Sequence, residues 1–186
     1  MSFLFIQNLN GQCDYEKIKN LLILKSENCS VTPDIATKSI KIFQEPMGVS
    51  EQLSIRFVRE GKEYYLFTYY VKAYIKKFKI LESNPLILLF EKGEPISLLP
   101  CGDFRGKKLP NLLYCIGCFY KLTKEQIEQI EQIANSDILK KVLIHFTCDK
   151  QINTSQIDEN GSTFLEIEVD QGYDSTIARD ANCILQ

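Results

Sequence analysis

Apolar positions along this chain recur at two periods, and the switches between the periods mark out its elements. The clearest block runs from 112 to 148. Leu112-Leu113-Tyr114-Cys115-Ile116 and Val142-Leu143-Ile144-His145-Phe146 are nearly continuous in apolar or aromatic residues, the pattern of strands buried on both faces. Between them Ile127, Ile130, Ile133 and Ala134 recur at three- and four-residue steps, while Glu125, Glu128, Gln129, Glu131 and Gln132 fill the other side. That spacing predicts an amphipathic helix. Thr123 and Gln126 make a capping-box pair at its start, and Asn135-Ser136-Asp137 is a polar stop. The expected unit is strand, helix, strand, with the helix covering one face of a sheet that the two strands share.

Period two dominates elsewhere. Residues 39–43 alternate as a strand and end at Glu45-Pro46-Met47-Gly48. Leu53, Ile55 and Phe57 alternate with Ser54, Arg56 and Val58, Arg59-Glu60-Gly61-Lys62 turns the chain, and residues 63–70 return it; this is a β-hairpin pattern. Residues 86–90 and 96–99, joined through Glu91-Lys92-Gly93-Glu94-Pro95, predict a second hairpin, and residues 164–169 a further alternating strand. A short strand is expected over residues 3–6, and a helix capped by Asp14 with Ile18, Leu21 and Leu22 inside, running to about Lys25. Residues 26–33, 100–110 and 149–162 read as loops. From Val71 the spacing of Val71, Tyr74, Ile75 and Phe78 fits either a short basic helix or a continuation of the hairpin strand.

Strands in hairpins with two or three packed helices predict an α+β fold with a mainly antiparallel sheet. Regular βαβ alternation is missing. Residues 1–169 form one expected globular domain, and residues 170–186 a flexible tail of low apolar content.

Composition narrows the function classes. The chain has 186 residues, 45% of them hydrophobic and 25% charged, with a net charge of −2. It is long enough for one sizeable core, and its acidic balance weighs against nucleic acid as a partner. The aromatic and basic mixture of Phe57, Tyr64, Tyr65, Phe67, Tyr69, Tyr70 and Tyr74 would suit base stacking only if the rings were exposed. Apolar runs are too short for a transmembrane helix, and the start lacks the basic and small-residue features of a signal peptide. Seven cysteines without such a signal predict reduced thiols in the cytoplasm.

The sharpest functional pattern is the last four residues, Cys183-Ile184-Leu185-Gln186, which match a prenylation box of the farnesyl type. The expectation is a non-enzymatic adaptor or effector-like protein, farnesylated at Cys183 by a eukaryotic prenyltransferase, held at the cytosolic face of a membrane and acting through an unidentified protein partner. One lipid chain gives only marginal anchoring. Lys72, Lys76, Lys77 and Lys79 are the candidate basic patch that would meet an anionic membrane, because Asp170, Asp174 and Asp180 leave the tail itself acidic.

Two alternatives use the thiols and the single histidine. A cysteine-nucleophile enzyme would pair His145 with Cys101, Cys115 or Cys13, and a zinc site would draw on Cys115, Cys118, His145 and Cys148. Spacing weighs against zinc, since residues three apart on a strand face opposite ways. The glycine-containing loop from Cys101 to Lys108 is the most site-like loop, but it is not a P-loop, and no cofactor motif is present. A third alternative is a soluble binding or immunity-type protein whose ending is accidental.

Overall fold

The computed structural model describes residues 13, 15, 29–44, 51–73, 78–110, 113–148, 162–170 and 174–186. The strand expected at 3–6 and the polar stretch 149–161 lie outside the described residues, as does the helix expected from Asp14 to Lys25 apart from Tyr15, which forms an isolated bridge with Thr37. Those described form two antiparallel sheets and two helices, broadly α+β and mainly β.

In the first sheet β1 (Ile35–Ala36) and β2 (Ile40–Gln44) lie end to end along one edge of β3 (Glu51–Glu60). Next come β4 (Glu63–Ala73), then β10 (Leu113–Leu122), then β9 (Lys107–Lys108). In the second sheet β12 (Ser162–Glu168) pairs with one edge of β11 (Leu139–Cys148), and β5 (Phe78–Ile80) and β6 (Leu86–Phe90) share its other edge. Outside these, β7 (Ile96–Leu98) pairs with β6 and β8 (Phe104–Arg105) with β5.

The two sheets are hydrogen-bonded to each other at both margins. On one side residues 104–108 run from β5 to β10 as a single ribbon, and the Gly106 N–H donates to the Phe78 carbonyl (2.9 Å). On the other side the Asp170 N–H donates to the Ile42 carbonyl (3.0 Å), and the Asp170 carboxylate accepts from the Gln44 N–H (3.3 Å). The arrangement approaches a closed barrel, which leaves few free strand edges.

Local chemistry explains the turns. Glu60 pairs with Glu63, so β3 and β4 are joined by a two-residue loop, and Gly61 takes φ 58° there. A side chain would be strained in that conformation. The Gly61 N–H is held by the Asp34 carboxylate (2.6 Å). In the ribbon, a Cβ on Gly106 would lie 3.3 Å from both the Cys115 and the Phe78 carbonyl oxygens. Glycine there allows the two sheets to be stitched together.

Helix α1 (Lys124–Ser136) starts on the capping box that the sequence predicts: the Gln126 N–H donates to Thr123 Oγ1 (3.2 Å) and the Thr123 N–H to Gln126 Oε1 (2.9 Å). It buries Ile127, Ile130 and Ala134, and full burial of each isoleucine is worth roughly 1.5–3 kcal/mol. The expectation that the flanking strands share a sheet is corrected: β10 belongs to the first sheet and β11 to the second, so α1 is a crossover between sheets. Asp137 fixes its far end. One carboxylate oxygen accepts from the Lys92 and Gly93 N–H groups (both 2.8 Å) and the other from the Ile138 N–H (2.8 Å). The first cap therefore stops the strand, and the last ties the helix to the β6–β7 turn.

Of the two readings offered from Val71, the described residues follow the strand, with β4 running to Ala73 and β5 starting at Phe78. One further expectation changes. In place of a flexible tail, Asp174–Leu185 form α2, which packs on α1 and meets β3. Ile177, Ala178, Ala181 and Ile184 are all buried, one, four and seven residues on from the first. That stripe, docked on a neighbouring helix, gives the segment a reason to be ordered.

Candidate functional site

Four of the seven cysteines form two disulfides, Cys13–Cys183 and Cys29–Cys101. This departs from the expectation of reduced thiols and is characteristic of an oxidising setting. Sequence alone could not assign the pairs, because connectivity is set by the fold. Cys13, a candidate partner for His145 in the sequence, is bonded to Cys183 and offers no thiolate, and nothing local in the sequence marked Cys29.

The Cys13–Cys183 bond sits at the end of α2. Cys183 is 4% exposed and Ile184 is fully buried. The Cys183 carbonyl accepts from the Tyr15 hydroxyl (2.9 Å), and the Ile184 carbonyl accepts from Arg59 Nη1 (3.5 Å). Of the expected prenylation box, Leu185 packs on the core margin and Gln186 is exposed. In this state the Cys183 sulfur is bonded and its neighbours are helical, whereas a prenyl acceptor is a free thiol.

The second bond uses Cys101, one candidate nucleophile of the enzyme alternative. With its sulfur joined to Cys29, Cys101 offers no thiolate. Its N–H donates to the Phe119 carbonyl (2.9 Å), and the loop that follows is occupied by structure: Gly102 and Phe104 are buried, and Asp103 accepts from the Glu82 N–H (2.9 Å). The site-like loop is thus mostly the ribbon that links the sheets.

Cys115 and Cys118 lie on β10 and are both free and buried. They face opposite sides of the strand, as three-residue spacing requires, so they form neither a redox pair nor one side of a zinc site. Cys118 is the direct cross-strand partner of Thr68, with Tyr120 two residues on, which makes a small polar cluster on a buried sheet face. Burial pushes the Cys118 thiol well up, and burial followed by the neighbouring Cys118 does the same to the Tyr120 phenol. A thiol held protonated in this way is inert. Burial also raises the Tyr69 phenol, with Cys115 adding to the effect.

His145 lies in the other sheet, paired across strands with Phe164, its ring edge-on to the phenylalanine. It is not brought to Cys101 by any strand pairing. Among the described residues no cluster of three or more His, Cys, Asp or Glu is placed to hold a metal. The side chain of Cys148 lies outside the described residues.

The candidate basic patch is divided. Lys72 pairs with Glu51 (3.2 Å) on β4 and β3, Lys79 sits on β5 opposite Arg105, and Lys76 and Lys77 lie outside the described residues. Rings considered for base stacking turn inward: Phe57, Tyr65, Phe67 and Tyr70 are buried, and the Tyr70 hydroxyl donates to Glu51 (2.5 Å). Tyr74 lies outside the described residues. Among the described residues no helix is long and apolar enough to cross a membrane. The chain matches no protein-family model, no curated protein and no solved structure.

Proposed function

We propose that this chain is a non-catalytic protein that acts through protein contacts, presented on a β-rich body braced by two disulfides. The observation that carries this reading over a cysteine-nucleophile enzyme is the Cys29–Cys101 bond, which consumes one candidate nucleophile, while Cys115 is buried on β10 in the other sheet from His145. The burial and raised pKa of Cys118 support it further. Alkylation of the native, unreduced chain with iodoacetamide followed by peptide mapping tests it. The reading expects Cys101 and Cys118 to stay unlabelled until the protein is reduced and unfolded. Rapid labelling of Cys101 alone in the native chain would sink it and restore the enzyme alternative.

A second reading is carried by Cys183-Ile184-Leu185-Gln186: farnesylation at Cys183 in a eukaryotic cell, with attachment to an anionic membrane and a protein partner there. It requires the Cys13–Cys183 bond to be open and the last turn of α2 to be extended. Labelling with an isoprenoid analogue in eukaryotic cells, on the wild type, Cys13→Ser and Cys183→Ser, separates the outcomes. Label that is strongest in Cys13→Ser and lost in Cys183→Ser supports lipidation, and no label in either cysteine-183 form removes it.

A further inference from the structure

We propose that the Cys13–Cys183 bond is a redox latch on α2: opening it releases the helix from α1 and β3 while both sheets stay folded. The inference goes beyond the proposed function and does not depend on it.

Three features carry the argument. First, α2 is attached at its two ends in different ways. Its N-terminal approach is tied through Asp170 to β2, and its C-terminal turn is tied through Cys183 to Cys13, with Tyr15 bonding the Cys183 carbonyl. Closed, the bond keeps an undocked helix within reach of its site, so that redocking is an intramolecular event at high effective concentration. Open, that end keeps only the hydrogen bonds from Tyr15 and Arg59 to the carbonyls of its last turn. Second, the docked stripe is modest. Two of its four fully covered apolar positions are Ala178 and Ala181, which bury little area, and a helix of 12 residues is marginal without tertiary support. Third, neither sheet takes a strand from α2. The Cys29–Cys101 bond braces a separate region, next to β10, so the sheets keep their own cross-link when the latch opens.

Opening is a two-electron thiol exchange with a dithiol reductant. One thiolate of the reductant attacks the Cys13 sulfur, since Cys13 is the less buried partner, and Cys183 leaves as a thiolate that takes up a proton. The second reductant thiol then displaces Cys13, closing the reductant's own disulfide and freeing the second thiol.

Hydrogen exchange on the full chain tests the latch, read by mass spectrometry with and without dithiothreitol. Alkylation mapping on the same samples reports which bond is open. Opening Cys13–Cys183 is expected to speed exchange of the α2 amides about tenfold or more, while β3, β4 and β10 peptides are unchanged. Cys13→Ser is expected to reproduce the effect without reductant. Unchanged α2 exchange with the bond open would overturn the latch and leave a passive staple. Faster exchange in α2 and the sheets together would overturn it in favour of a global brace. Native chain lacking the Cys13–Cys183 linkage would overturn it outright.

Discussion

Removing the Cys29–Cys101 bond by the double substitution C29S/C101S is expected to lower global stability by a calculable amount. The bond closes a loop between residues 72 apart, and the chain-entropy relation gives ~4.4 kcal/mol at 25 °C for a loop of that size. This is an upper figure. A denatured chain that retains compact structure already lacks part of the entropy. A loss of roughly 2–4 kcal/mol is the expected range. Guanidinium unfolding of the two proteins without reductant measures it. The midpoint should fall in the double variant, and its m-value should rise, because an uncross-linked denatured state exposes more surface. Adding reductant to the wild type should move its curve towards that of the variant and leave the variant's nearly unmoved, apart from the contribution of Cys13–Cys183. Coincident curves for wild type and variant without reductant would refute the reasoning, since a closed bond of this span has to restrict the denatured chain.

Three further outcomes follow from the packing. Ile130→Ala, at a fully buried position on α1, should cost about 2–5 kcal/mol in chemical unfolding, and a loss below 1 kcal/mol would mean that the helix is not seated as described. Gly106→Ala places a Cβ against two backbone oxygens, so it should destabilise by roughly 1–3 kcal/mol and loosen amide protection in residues 104–108; an unchanged melting curve would contradict the stitched ribbon. Asp137 supplies an acid-side dependence. Burial tends to raise its carboxyl, but the N–H groups of Lys92, Ile138 and Gly93 outweigh that and hold it below the usual carboxylate value. Its contribution is therefore complete above the unfolded-state value near pH 4 and fades as pH falls through the lower folded-state value. The melting temperature of Asp137→Asn should fall less steeply than wild type between pH 5 and about pH 2, and parallel curves would refute that role.

What the sequence disclosed was short-range. Thr123 and Gln126 announce the α1 capping box, Gly61 the β3–β4 turn, and the alternation of Leu53, Ile55 and Phe57 the strand between them, because each depends on neighbours a few residues away. Sheet membership was hidden. β10 and β11 are equally apolar, and only hydrogen bonds to β4 on one side and β6 on the other assign them to different sheets. The α2 helix was partly visible: Ile177, Ala178, Ala181 and Ile184 follow a helical step. Two alanines add little hydropathy, though, so residues 170–186 read as too polar to fold. The thiols misled most. An odd count and no secretory signal pointed to reduced cysteines, yet the odd members include Cys115 and Cys118, apolar fillers on opposite faces of one strand, while the pairs join residues 170 and 72 positions apart. No local pattern encodes contacts of that range.

The most direct test of a disulfide-braced fold is a non-reducing peptide map of the native protein after its free thiols are blocked under denaturing conditions. The account predicts two linked peptide pairs, Cys13 with Cys183 and Cys29 with Cys101, and blocked thiols at Cys115 and Cys118. A map with these four cysteines all blocked, or with Cys101 or Cys183 linked to any other partner, would contradict it.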